Sequence, residues 1–310
     1  MADPFRFLVA ESEPQEARAK RRDSVGRSSG ETYVDTLAWL CPHTTCDRIT
    51  PADIGTPLPL VADIAGYDAV FLTGSPLHLY DDTPEIRREI AFMRAVFASG
   101  TPSFGSCAGL QVATVAAGGT VRPMRERREA GFARRLWATG AGRDHPLLAG
   151  RPPAWDAPAI HTDEVEHLPE GATLLASNAV THIQAVEIRC GEGVFWGVQY
   201  HPEITLAEVA AALRRQADDL IEHDMGDHES IEAKAALVDA LAAEPGRRDI
   251  AWRLGLDAQV TDPLLRTTEI RNFIAHLVRP TRERRRSLAE GVGFEPTVSL
   301  HPRRFSRPLP

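Results

Sequence analysis

The chain has 310 residues, 43% of them hydrophobic and 25% charged, and carries a formal net charge of −8. This composition suits a folded globular chain with ample core, long enough for one domain of about 200 residues plus an addition, and it excludes disordered and fibrous classes. The acidic balance argues against nucleic acid as a general partner, and no apolar run reaches bilayer-spanning length. The start lacks a basic segment followed by an apolar one, so no membrane association and a cytoplasmic location are expected.

Residues 5–10 are apolar and β-prone and predict a first buried strand. Residues 11–30 contain Arg18-Ala19-Lys20-Arg21-Arg22 and read as a charged surface loop beside the site, with a lid or partner-docking loop as the other reading. A helix is predicted over 31–40, a strand over 69–73, and a long helix over 84–99 closed by Gly100. Cys41, His43 and Cys46 are zinc-ligand residue types at a familiar spacing. No second cluster completes a tetrahedral set, so a loop with partly buried thiols is expected, and no metal or cofactor. Residues 101–105 predict a strand feeding Cys107, and 110–117 a helix stopped by Gly118-Gly119. From 131 to 167 the pattern is irregular, broken by Pro152, Pro153 and Pro158.

Residues 194–200 are β-branched and aromatic and predict a strand ending at His201. A helix over 206–223 follows, and 231–243, 249–256 and 264–278 each carry helical spacing. Strands alternating with helices predict an α/β fold, a mostly parallel sheet with helices on both faces, plus a small C-terminal helical extension. The chain divides into 1–223, an extension over 224–278, expected to cap the sheet or dock a partner, and a tail over 279–310. That tail holds eight arginines against three glutamates, leaving −13 for residues 1–278, and is expected to be disordered. From Gly291-Val292-Gly293-Phe294-Glu295-Pro296-Thr297 onward it resembles the opposite-strand translation of a transfer-RNA gene, so no function is hung on the last twenty or so residues.

The chemistry gathers at Gly105-Ser106-Cys107-Ala108-Gly109. Cys107 falls at a strand-to-helix corner, where small residues two positions either side let the two elements approach. A helix N-terminus and a nearby imidazolium both favour thiolate. Downstream, Gln199-Tyr200-His201-Pro202-Glu203 sets a histidine and a carboxylate two apart, on one side of an extended chain, so that Glu203 can orient His201. Nucleophile, base and orienter form the logic of a triad.

With these segments, with Asp68-Ala69-Val70-Phe71-Leu72-Thr73-Gly74-Ser75-Pro76, and with Leu175-Ala176-Ser177-Asn178 leading to Gln184, the chain resembles the class I glutamine amidotransferases. The likeness is greatest to stand-alone proteins similar to the amidotransferase domain of GMP synthetase, and it implies a flavodoxin-like α/β fold. It further implies that Cys107 attacks the glutamine side-chain amide, His201 relays protons, and a γ-glutamyl thioester forms, with ammonia passed to a separate synthetase. The oxyanion donors implied are N–H groups of Gly74, Ser75 and Ala108. The family usually has Gly-Gly-Pro where this chain has Gly74-Ser75-Pro76, and serine tolerates positive φ poorly, so a hole formed differently or only on activation is one expectation. Gln111, Gln184 and His161 match positions at or near the substrate. Two other readings stand beside this one: a γ-glutamyl amide or peptide hydrolase that transfers no ammonia, and a non-catalytic regulatory homologue.

Overall fold

The computed structural model describes residues 4–124 and 128–292, with side chains to 288. In chain order the first elements are β1 (Arg6–Ala10), α1 (Gln15–Val25), α2 (Ser29–Leu40), β2 (Thr45–Ile49), α3 (Val61–Ala65), β3 (Ala69–Leu72), α4 (Pro84–Ser99), β4 (Ser103–Ser106) and α5 (Ala108–Ala116). Then come β5 (Thr120–Pro123), β6 (Glu129–Ala138), α6 (Gly140–Arg143), β7 (Trp155–His161), β8 (Asp163–His167), β9 (Ala172–Ser177), β10 (Ala185–Cys190) and β11 (Gly193–Val198). The C-terminal part is helical: α7 (Leu206–Arg215), α8 (Ala217–Glu222), α9 (His228–Ala243), α10 (Arg248–Leu254), α11 (Ala258–Thr261), α12 (Pro263–Arg266), α13 (Thr268–Phe273) and α14 (Arg279–Val292). A π turn, Ile274–Val278, joins the last two.

The main sheet has nine strands in the order β2-β1-β3-β4-β11-β10-β9-β6-β7. Strands β2, β1, β3, β4 and β11 pair in parallel. Strands β10, β9, β6 and β7 extend the sheet with antiparallel pairing. Side chains alternate along a strand, and in β1 and β3 both faces are apolar and buried. Phe7, Val9 and Phe71 face a core shared with Tyr33 and Leu37 of α2, while Leu8, Val70 and Leu72 face Phe92, Met93 and Val96 of α4. The expected α/β fold is therefore present, and its parallel strands end where the candidate catalytic residues begin.

Three expectations need correction. Residues 11–30 are not a surface loop: they contain α1, closed by Gly26 in the left-handed region, and Glu11, Ser12 and Glu13 before it are buried. Glu11 and Glu13 accept from the N–H groups of Gly30 and Ser29, so buried carboxylates cap α2. The irregular stretch 131–167 holds the hairpin of β6 and β7, bulged at Arg135, whose φ is 50°. The tail is not disordered as far as Val292. Arg285 donates to the carbonyls of Tyr67 and Gly100, and Arg279 and Arg282 lie over the Phe5 ring. Residues 293–310, which carry most of the transfer-RNA-like segment, lie outside the described residues.

The helix predicted over 206–223 breaks at Gln216 into α7 and α8. Past residue 223, α9 and α10 pack with α7 and β6, and Phe273 of α13 enters the main core within 5.5 Å of the Phe71 and Phe104 rings. The extension thus packs partly on α7 and β6 and partly into the main core.

Candidate active site

Cys107 joins β4 to α5 at φ 54° and ψ −113°, a region L-residues avoid. Its N–H is tied to the Val198 carbonyl at 2.9 Å. The neighbouring glycines make the corner sterically feasible. A Cβ on Gly105 would stand 2.8 Å from the backbone of Gly109, and one on Gly109 would stand 2.6 Å from the Leu72 carbonyl oxygen. The turn thus presents the sulfur above the parallel strands and leaves it 7% exposed. The Ile160 carbonyl lies 3.9 Å from the sulfur.

His201 comes from the end of the neighbouring strand β11, where its N–H binds the Pro158 carbonyl at 2.7 Å. The imidazole Nδ1 meets Glu203 Oε1 at 2.7 Å, and the other side of the ring faces Cys107. Burial opposes charging this ring, but the Glu203 carboxylate and the Cys107 sulfur outweigh it and push the imidazolium up to about 10. Gly74 packs against the same group: a Cβ there would lie 2.8 Å from His201 Cε1 and 3.7 Å from Cys107 Cβ. Neither Gly74 nor Ser75 adopts positive φ. The Ser75 hydroxyl instead donates to the Ser12 carbonyl at 2.9 Å and accepts from Leu77 N–H. Cys107, His201, Glu203, Gly74, Ser75 and Ala108 are therefore brought together, with Ala108 the first residue of α5.

Two cavities meet at the sulfur. One, of about 430 Å³, is lined by Gln111, His161, Asp163, His78, Tyr80 and Arg128. The other, of about 470 Å³, lies on the α1 side, among Pro14, Ala17, Arg21, Ile204, Ala212 and Arg215. Gln111 lines the first cavity, its amide nitrogen held by the Asp163 carbonyl and Gln199. His161 lines it too, with Nδ1 on the Asp163 carbonyl and Nε2 on Glu129, both at 2.9 Å. Gln184 does not reach either cavity. It is fully buried and donates to Glu129 Oε2 at 2.6 Å, so it braces the layer behind His161. Burial works against the Glu129 carboxylate, yet His161, Asn178 and Gln184 hold it below the usual range.

Sequence reasoning missed Ser106 and Tyr33, whose hydroxyls connect to Glu203, and the wall that α1 provides. Ser106 had one available signal, its place beside Cys107. Tyr33 had none, because only the fold brings α2 to that turn. Cys41 caps the end of α2 and Cys46 lies on β2, both as free, partly buried thiols. Among the described residues no helix is long and apolar enough to cross a membrane.

The chain matches the family Glutamine amidotransferase class-I over residues 49–217. A gamma-glutamyl-L-1-hydroxyisopropylamide hydrolase from Pseudomonas sp. is 35% identical over 289 residues, which cover 91% of this chain and 96% of that protein. A glutamine-hydrolyzing GMP synthase from Leifsonia xyli subsp. xyli is 33% identical over 175 residues, 56% of this chain but 31% of that longer protein. Among solved structures, a glutamine amidotransferase from Thermotoga maritima superposes with a TM-score of 0.58 at 16% identity, over 90% of this chain and 99% of the other. One from Methylobacillus flagellatus gives 0.52 at 19%, over 98% of this chain and all of the other, and at these identities both speak for the fold alone. The chain belongs to the class I glutamine amidotransferases and is an amide-hydrolysing enzyme.

Proposed function

We propose that the protein hydrolyses γ-glutamyl amides through Cys107, His201 and Glu203, releasing glutamate and an amine, with no transfer of ammonia. The Cys107 sulfur attacks the γ-carbonyl, and the His201 imidazolium gives its proton to the departing amine nitrogen as the C–N bond breaks. Water then adds to the γ-glutamyl thioester, His201 takes its proton, and the C–S bond breaks to give glutamate. N–H groups of Ala108 and the Gly74-Ser75 loop carry the oxyanion. Gln111 and His161 belong to the γ-glutamyl side.

The observation that carries this reading is the pair of cavities meeting at the sulfur. One holds the acyl group, and the second, about 470 Å³, has room for a leaving group far larger than ammonia. Near full-length similarity to a hydrolase of a γ-glutamyl hydroxyalkylamide supports it. The second reading, glutamine hydrolysis with ammonia delivered to a separate synthetase, is favoured by the GMP synthase relatives, which match over part of their length.

The test is a panel of γ-glutamyl alkylamides set against glutamine, with glutamate release measured for wild type and Cys107→Ala. We expect alkylamides to exceed glutamine in kcat/KM and the variant to lose activity by a factor of about 10⁴ or more. Glutamine as the best substrate, stimulated by a synthetase in the lysate, would favour the second reading. Turnover retained by Cys107→Ala would remove the thiol mechanism altogether.

A further inference from the structure

Glu203 is held through one oxygen of its carboxylate. Its carboxylate is 4% exposed, and Oε2 has no hydrogen-bond partner among the described residues. Everything that holds the carboxylate therefore passes through Oε1, which meets His201 Nδ1 at 2.7 Å and accepts from Ser106 Oγ at 2.9 Å. Ser106 Oγ in turn lies 2.6 Å from the hydroxyl of Tyr33 on α2. The directions follow from valence. A carboxylate only accepts, a serine hydroxyl has one proton, and that proton goes to Glu203, so Tyr33 donates to Ser106. Burial, with the Glu203 charge nearby, raises the Tyr33 phenol well above its ordinary value and keeps it a neutral donor. Three residues beyond Tyr33 on α2, the Thr36 hydroxyl donates to the Glu203 carbonyl at 3.3 Å. Helix α2 thus holds the turn carrying Glu203 directly at its backbone and, through Ser106, at its side chain.

We propose that Ser106 and Tyr33 are positioning residues that hold Glu203 Oε1 against His201. This inference rests on the Cys107–His201–Glu203 reading and extends it to two side chains that touch neither substrate nor sulfur. Without the Ser106 hydroxyl the carboxylate has a single donor and is free to turn its other oxygen toward the ring. The support that raises His201 then weakens, and its pKa falls back toward the ordinary value. The other groups facing this pair are Cys107, Tyr33 and, from the C-terminal helices, Arg266, whose charge is felt at Glu203.

The experiment uses the full chain with Ser106→Ala, Ser106→Thr and Tyr33→Phe. Alkylation of the Cys107 peptide by iodoacetamide is followed by mass spectrometry across pH, a readout of the Cys107–His201 pair that needs no substrate. Hydrolysis of γ-glutamyl ethylamide supplies kcat and KM. Ser106→Ala should lower kcat by about 10- to 100-fold with KM within about twofold, and should move the alkaline transition of the alkylation profile down by about one pH unit. Ser106→Thr should restore both, and Tyr33→Phe should shift them the same way by less. Variants that keep the wild-type transition and kcat, or that lose activity through KM or melting alone, overturn the proposal. A wild-type Cys107 that alkylates like an isolated thiol would sink the underlying triad instead, so the two failures are distinguishable.

Discussion

At the scale of single residues, the site depends on a few positions where the backbone leaves no space. Gly105 and Gly109 were legible as part of the elbow because a thiol on a strand-to-helix corner demands small neighbours, and the structure shows which atoms impose it. A Cβ on Gly105 would meet the backbone of Gly109, and one on Gly109 the backbone and Cβ of Leu72, so nothing nearby can yield. Gly109→Ala is therefore expected to lower stability by about 1–3 kcal/mol and to cut kcat/KM more than its melting temperature suggests, because Cys107 moves with the strand–helix contact. Gly140→Ala, where an added Cβ meets nothing within 4 Å, is the control and should match wild type in both thermal melt and kinetics. Equal behaviour of the two variants would mean that the corner is more pliable than its contacts indicate. The Gly74-Ser75 loop was less legible. A serine at position 75 raises a question of φ from the sequence, and the structure answers it through the hydroxyl, which is fastened to Ser12.

At the scale of elements, what could be read depended on whether burial was apolar. The helix over 84–99 was readable to the residue, since Thr83, Pro84 and Gly100 mark its ends and one side of it is apolar. Strands β1 and β3 were readable because both their faces are buried. Helix α1 was not, because Arg18 is its one buried residue and ion pairs, not an apolar stripe, hold it: Arg18 to Asp53 and Arg21 to Glu208. Helix α4 hides a further polar group. Glu89 is 1% exposed, accepts from the Ser12 hydroxyl at 3.0 Å, and leaves Oε1 without a partner among the described residues. Burial pushes its carboxyl up to about 7, well above the ordinary carboxylate range. A carboxyl raised in the folded state contributes stability that is fully present below the unfolded value and lost as pH rises through the folded one. Between pH 5 and 8 the folded protein should therefore weaken through Glu89. Glu89→Gln should flatten that dependence and gain up to about 3 kcal/mol over wild type at pH 8, at about 1.4 kcal/mol per pKa unit. Urea denaturation at pH 5, 6.5 and 8 reads it, and parallel curves for the two proteins would show that Glu89 is not the source.

At the scale of the whole molecule, the C-terminal helices and the end of β11 that carries His201 form one unit. The helical spacing of 231–278 predicted that helices exist, and nothing in it could show that they bury a charge beside the site. Arg151 and Glu269 are an ion pair with side chains 2% and 0% exposed, joined at 2.6 Å. Glu269 Oε1 also accepts from the hydroxyl of Tyr200, the residue before His201, at 2.9 Å. Arg151 further donates to Gln259 on α11, so one guanidinium ties two C-terminal helices to the sheet. Its charge survives burial because Glu269 more than offsets the desolvation and holds the guanidinium above its usual value. Removing one partner of such a pair leaves the other charged and unpaired, at a cost of about 3–5 kcal/mol, whereas replacing both by apolar groups of similar volume is often neutral. Glu269→Ala is accordingly expected to lose about that much stability in urea titrations. The double variant Arg151→Met with Glu269→Leu should recover most of it. Activity separates structural from site effects, because in the double variant Tyr200 still lacks its acceptor. If kcat remains depressed after stability returns, the extension acts on the His201 strand end through Tyr200. If kcat returns with stability, the pair serves only to seat the helices on the sheet.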